Sequence, residues 1–249
     1  MRLLTIILTL FFLSACGDDW AIRSSIDNAR DHMAIADYES ATVELENALQ
    51  KDGNSAEARW LLSTVLLKQG EIQLAEQQLI RSLKVGWSAD AILPVLAQTM
   101  MVQGKTDAVL VLGPADLGDI AAARLLATQA MAVMADQQMN SSPEANSRAE
   151  RLLANARQHA PDELAVQLGA ATLLVRQGRT DVAMQLVQDT RARWPEDAAV
   201  RWLEGEIRLL QNASLHDQAT GDRSIDDAPS TNLTDYMKQA LFERTVAGL

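Results

Sequence analysis

The chain of 249 residues is poor in aromatic residues, cysteine, histidine, proline and glycine. Aromatic residues make up 4% of it, with one cysteine, three histidines, six prolines and twelve glycines. So few prolines and glycines exclude a collagen-like chain and a sandwich with many turns. The formal net charge of −11 argues against binding to a nucleic-acid backbone, which needs clustered lysine and arginine. The remaining composition, rich in alanine and leucine, favours helices.

Residues with catalytic or metal-binding chemistry are scattered. His32, His159 and His216 lie in different segments, and none has a second histidine or a cysteine three or four residues away. A zinc site needs three or four ligands at defined spacing, and the chain contains no glycine-rich phosphate loop or nucleophile motif. The sequence therefore predicts no enzyme activity, metal, cofactor or small-molecule substrate.

An apolar run of 11 residues, 3–13, follows Arg2 at the start of the chain. It is shorter than the roughly 20 residues of a membrane-spanning helix, so it predicts the hydrophobic part of a signal peptide. The only cysteine, Cys16, follows directly after two small residues.

Residues 13–16 (LSAC) resemble the bacterial lipobox, in which the cysteine is acylated and becomes the new N-terminus. The resemblance implies a cleaved signal peptide (1–15), a lipidated tether (16–23) and a membrane-anchored lipoprotein facing the periplasm. In enterobacterial lipoproteins an aspartate directly after the cysteine marks inner-membrane retention. Gly17 stands there, which favours the outer membrane. A plain secretory signal with a chance cysteine is the alternative.

Residues 56–89 contain a unit with helical periodicity. Ala75, Leu79, Ser82 and Leu83 recur at the spacing of one helix face and predict a buried stripe. The small residues Ser63, Ala75 and Ser82 let two antiparallel helices pack closely. The unit resembles the tetratricopeptide (TPR) repeat over its 34 residues.

Landmarks of this unit recur at the same period. Gly70 and Gly104 are 34 residues apart, and so are Pro161 and Pro195. The expected fold is all-α, a TPR-type α-solenoid of antiparallel helix pairs over residues 24–211. It comprises about five to six repeats, one of them degenerate.

The 34-residue repeat pattern is interrupted at several positions. Gly113-Pro114 should shorten the second helix of the degenerate repeat. In the next repeat we expect a first helix over 121–137 and an insert around 139–147. Residues 212–231 hold almost no bulky apolar side chain and predict a flexible loop. Residues 232–249 predict a capping helix over the last apolar face.

The TPR resemblance implies an inner groove lined by the first helices of the repeats. Carried over by repeat position, its residues are Arg30, Met33, Trp60, Thr64, Leu67, Lys68, Met101, Thr172, Arg176, Trp202 and Glu206. Tryptophan and arginine dominate binding hot spots, and a basic lining favours an extended peptide with carboxylate groups. Alternatively, the two tryptophans only pack against neighbouring repeats.

Residues 44–50 (ELENALQ), 92–97 (ILPVLA) and 103–105 (QGK) resemble the N-terminal part of TPR lipoproteins of exosortase/PEP-CTERM systems (PrsT type). The resemblance covers roughly residues 24–205 and is strongest over 37–112. Those systems are associated with exopolysaccharide production and envelope protein sorting. This resemblance implies a lipid-anchored periplasmic scaffold or adaptor that binds a segment of another envelope protein. Two alternatives are a pilotin-like lipoprotein for secretin and type IV pilus assembly and an accessory subunit of an envelope enzyme complex. A purely structural spacer is a third.

Overall fold

The computed structural model describes residues 19–113, 116–135, 142–220 and 230–249. These ranges contain twelve α-helices and no strand, which confirms the predicted all-α fold. In chain order the helices are α1 (19–34), α2 (Tyr38–Lys51), α3 (Ala56–Lys68), α4 (Ile72–Lys84), α5 (Ala89–Val102), α6 (Thr106–Leu110), α7 (Asp119–Ala135), α8 (Pro143–His159), α9 (Leu164–Arg176), α10 (Thr180–Arg193), α11 (Ala198–Thr220) and α12 (Ser230–Ala247).

The helices form two compact units. The N-terminal unit ends at Ile92, the C-terminal unit covers Leu93–Gly248, and α5 spans the boundary. In the N-terminal unit α3 packs against both α2 and α4. In the C-terminal unit α7 packs on α8, α8 on α9, α9 on α10 and α10 on α11. Packing between successive neighbours is typical of a repeat array.

Tight turns join the two helices in four of the repeats. Gly70, Gly104 and Gly178 have φ angles of +80°, +74° and +73°, in the left-handed region that glycine adopts without steric penalty. In the first repeat Ala36 takes this conformation, with a φ of 59°. The glycine spacing in the sequence therefore marks real helix ends.

The predicted buried stripe of α4 is confirmed. Ala75, Leu79 and Ser82 are completely buried, and Leu83 is half-buried. The Ser82 hydroxyl donates a hydrogen bond of 2.8 Å to the carbonyl oxygen of Ala56, at the start of α3. A small polar side chain thus lets α4 approach α3, and its buried hydroxyl has a hydrogen-bond partner inside the packing.

A glycine allows a similarly close approach of α8 and α9. A Cβ atom placed on Gly169 would lie 2.9 Å from Cδ2 of Leu153. Leu153 is 2% exposed, so its side chain has little room to move aside. The contact between these two helices depends on the absence of a side chain at position 169.

The degenerate repeat has a second helix, α6, of only five residues. The helix ends three residues before Gly113, as the Gly113-Pro114 pair predicts. The following repeat differs from expectation, because α8 begins at Pro143, inside the predicted insert of 139–147. The Ser142 hydroxyl caps α8 by accepting the amide of Ala145 at 3.1 Å. Residues 136–141 lie outside the described ranges.

Two other boundaries also differ from the predictions. Helix α11 continues to Thr220, so the first part of the loop predicted for 212–231 is helical. Extending an established helix costs little, and residues 212–220 contain no glycine or proline. Helix α1 already includes residues 19–23 of the predicted tether, where Arg23 and Asp19 form an ion pair of 3.1 Å one turn apart.

Several predicted features lie outside the described residues. They are the signal peptide, Cys16, and the middle of the loop at 221–229. Within the part of the chain that the structure covers, no helix combines the length and apolar character needed to cross a bilayer.

Candidate functional site

The residues predicted to line one groove fall in both units. Arg30, Met33, Trp60, Thr64, Leu67 and Lys68 belong to the N-terminal unit, and Met101, Thr172, Arg176, Trp202 and Glu206 to the C-terminal unit. Each set is therefore considered within its own unit.

Four of these residues are buried. Thr64, Leu67, Met101 and Thr172 are at most 3% exposed. The hydroxyl of Thr172 donates to the carbonyl oxygen of Leu168 in the preceding turn, at 2.8 Å. These four side chains belong to the packing of the helices and not to an open surface.

In the N-terminal unit the predicted basic residue Arg30 already has partners. Its guanidinium donates to Asp27 at 2.8 Å and to Glu57 of α3. Trp60 and Met33 are half-buried. Two carboxylates compensate the charge of Arg30, so this residue adds little attraction for an acidic partner.

An open depression of about 330 Å³ in the N-terminal unit lies away from the predicted groove residues. Its lining comes from α2, α3 and α4, and it consists of Glu46, Leu49, Gln50, Arg59, Leu62, Gln78 and Arg81. Arg59 donates to Gln78 at 2.9 Å across it. None of the predicted residues contributes to this depression.

Arg176, in the last turn of α9, differs from the other predicted residues. Its Nε and Nη2 atoms are buried and have no hydrogen-bond partner. Burial lowers the pKa of the Arg176 guanidinium from its ordinary value. A guanidinium is a rigid fork of donors that matches a carboxylate, and the described helices place no acceptor against these two nitrogen atoms.

Trp202 of α11 shows what covers the first helices of the C-terminal unit. Its ring stacks on that of Tyr236 in α12, with centroids 3.7 Å apart and planes at 15°. Helix α12 contacts α7 and α9 as well as α11. These are the first helices of successive repeats, and we call the surface they present to α12 the inner face. Glu206, one turn after Trp202, is half-buried.

Three apolar side chains and an ion pair hold α12 on the inner face. Met237, Leu241 and Phe242 are at most 6% exposed. Arg244 pairs with Asp197, whose carboxylate also accepts the first amides of α11. The sequence indicated a helix with one apolar face in this segment. Its position along three repeats left no sequence signal, because α12 does not follow the 34-residue period.

A buried charge cluster between α10 and α11 escaped the sequence analysis. The Glu204 side chain is 5% exposed and accepts from Arg191 at 2.6 Å and from Arg208. Both arginines are about half exposed. The cluster ties α10 to α11. In the residues that the structure describes, no three histidine, cysteine or acidic side chains come close enough to hold a metal ion.

Comparison with known proteins finds a repeat family to which two parts of the chain are similar. The tetratricopeptide repeat family model matches residues 33–85 and 143–207. No curated protein matches the chain.

Solved structures share the fold at low sequence identity. The pilF protein of Pseudomonas aeruginosa is 20% identical, over 87% of this chain and 97% of that one, with a TM-score of 0.56. A tetratricopeptide repeat protein from Parabacteroides merdae ATCC 43184 is 16% identical, over 92% and 90%, with a TM-score of 0.60. Acl4, an assembly chaperone of RpL4, is 16% identical, over 91% and 99%, with a TM-score of 0.53.

Proposed function

We propose that this tetratricopeptide-repeat protein is an adaptor whose C-terminal unit binds a segment of another protein of the cell envelope. Repeats of this kind present the first helices of successive pairs side by side, as α7, α9 and α11 are arranged. Such a surface suits a partner segment that runs across several helices.

The observation that carries the proposal is the unpartnered guanidinium of Arg176. A buried donor without an acceptor costs about 1–3 kcal/mol, and two such donors on one side chain are a clear exception in the described packing. A carboxylate from a partner would form charge-assisted, bidentate hydrogen bonds with them. Arg176 is therefore the residue that we assign to partner recognition.

Replacing Arg176 by methionine tests this assignment. Methionine keeps most of the volume and removes the unsatisfied donors, so we expect the free energy of unfolding to rise by about 1 kcal/mol. Partner binding should weaken at least about tenfold, because the charge-assisted contact is lost. Denaturant unfolding measures the first effect. The second is measured by capture of envelope proteins from solubilised membranes, followed by titration of the protein captured.

The exposed Arg157 of α8 supplies the matched control. Arg157→Met removes the same charge from the molecule, and should change neither stability nor capture. If Arg176→Met lowers stability and leaves capture intact, Arg176 is a structural residue and the assignment fails.

The proposed location rests on the N-terminal sequence. Acylation of Cys16 would hold the protein on a membrane facing the periplasm, with the outer membrane favoured by Gly17. Buried acyl chains contribute about 0.8 kcal/mol per CH₂ group, and more than one chain gives stable attachment. The resemblance of residues 37–112 to exosortase-associated TPR lipoproteins supports a role in exopolysaccharide production or protein sorting.

Cys16→Ser tests the anchor. In an enterobacterial host we expect the variant to lose incorporation of labelled palmitate and to move from the membrane to the soluble periplasmic fraction. Gly17→Asp is the informative companion, since it keeps the lipid and should shift the protein to the inner membrane. Membrane association that survives Cys16→Ser without any lipid label would contradict the lipoprotein assignment.

Two other roles predict different genetic results. A pilotin-like protein has a similar length and the same N-terminal motif, and its deletion would leave secretin multimers unassembled. An accessory subunit would copurify with a polymerising or modifying enzyme and change its rate. Normal secretin assembly in the deletion strain, together with loss of exopolysaccharide, favours our proposal over the pilotin role. Absence of a copurifying polymerising or modifying enzyme favours it over the accessory-subunit role.

A further inference from the structure

We infer that the inner face of the C-terminal unit binds an amphipathic helix, and that α12 is its internal occupant until a helix of the partner displaces it. The inference rests on the proposed function and specifies the form of the partner segment. It replaces the extended peptide expected from the sequence by a helix.

The position of α12 is the first reason. A helix that only covered the end of the array would contact the last helices, α10 and α11. Helix α12 instead contacts α7, α9 and α11, so it crosses the first helices of successive repeats. This is the path that a bound segment of another protein would take across a repeat array.

The chemistry of the contact is the second reason. Tyr236 stacks on Trp202, and Met237 and Leu241 follow at helical spacing with their side chains buried. Gln239 of the same helix donates to Glu243 at 2.8 Å, and both residues are exposed. Buried apolar side chains next to an aromatic anchor are the contacts by which helices bind grooves.

Helix α12 also stands apart from the repeats. The tetratricopeptide match ends at residue 207, before α12 begins. An isolated helix of 18 residues is only marginally stable in water. The inner face therefore stabilises α12 as a receptor stabilises a helical ligand.

A contact with Arg176 is the reason that a partner helix binds the inner face more strongly than α12 does. Arg176 lies on α9, one of the helices that α12 contacts, yet its Nε and Nη2 atoms find no acceptor. As a tethered segment, α12 has a high effective concentration, and a competitor must bind more strongly to displace it. A partner helix with an aromatic residue, an apolar pair five and six residues later, and a carboxylate that reaches Arg176 meets that requirement.

The test uses the full chain and the chain's own helix as the probe. A fluorescently labelled peptide of residues 230–249 is titrated into wild-type protein and into the variant Leu241→Asp/Phe242→Asp, and anisotropy is measured. We expect saturable binding to the variant, whose α12 is detached, and at least tenfold weaker binding to wild type. Adding Trp202→Ala to the variant should weaken peptide binding at least tenfold.

Gln239→Asp is the matched control, because it adds one negative charge to the exposed side of α12. This variant should bind the peptide as weakly as wild type does. Hydrogen exchange adds a second readout, in which the amides of α12 should exchange faster than those of α9 in the wild-type protein.

Three results would overturn the inference. The first is a double variant that keeps its repeats folded and does not bind the peptide. The second is equal binding of the peptide to wild type and variant. The third is loss of helix beyond α12 in the variant, which would make α12 an integral part of the fold. None of these measurements needs a partner, so they are independent of a failed capture experiment, which would count against the adaptor role itself.

Discussion

Replacing both Arg191 and Arg208 by alanine is expected to lower the free energy of unfolding by about 3 kcal/mol or more. The double variant leaves the carboxylate of Glu204, only 5% exposed, without either of its two cations. A buried charge that loses its partners keeps its desolvation penalty and loses the compensating attraction. Urea unfolding followed by circular dichroism measures the change.

Each single variant is the first control. One arginine remains beside Glu204 after either substitution, so we expect the two single losses to add up to less than the double loss. Arg201→Ala is the second control. It breaks an ion pair with Glu196, whose side chain is 89% exposed, and exposed pairs contribute about 0–1 kcal/mol. A double variant as stable as Arg201→Ala would show that Glu204 reaches solvent.

The second large effect is expected at the contact between α8 and α9. Leu153→Ala removes a side chain that is 2% exposed and leaves a cavity, at a cost of about 2–5 kcal/mol. The loss should appear as a lower midpoint of denaturant unfolding with an unchanged slope.

Gly169→Ala provides a sharper check, because its effect should change sign with the residue at position 153. In wild type the added Cβ lies 2.9 Å from Leu153 Cδ2. This overpacking destabilises the protein by about 1–3 kcal/mol, which outweighs the gain of about 1 kcal/mol from the higher helix propensity of alanine. In the Leu153→Ala background the clash disappears, so the same substitution should stabilise the protein. Destabilisation by a similar amount in both backgrounds would locate the strain elsewhere.

The helix pairs could be predicted because their determinants are close together in the sequence. The turn at Gly70 and the buried stripe of Ala75, Leu79 and Ser82 lie within one unit of 34 residues. A left-handed turn and a helical apolar stripe each impose a local residue pattern. For the same reason the Gly113-Pro114 pair predicted the short α6.

The surface features depend on tertiary packing and could be predicted only in part. Repeat position assigned Trp202 and Arg176 to the first helices, but it also assigned Thr172, which is completely buried. Assignment by repeat position assumes an open groove, whereas α12 covers the inner face of the C-terminal unit. The Nε and Nη2 atoms of Arg176 have no acceptor because the other helices place none beside them. This depends on tertiary packing, so no residue pattern within α9 predicts it.

The location of α12 after the repeats has a consequence for synthesis. The left-handed turns at Gly104 and Gly178 connect helices that are neighbours in sequence, so these pairs can form as soon as they leave the ribosome. Helix α12 is made after α7, α9 and α11, which it contacts. Until residues 230–249 have emerged, Trp202 and the surface around it have no covering helix.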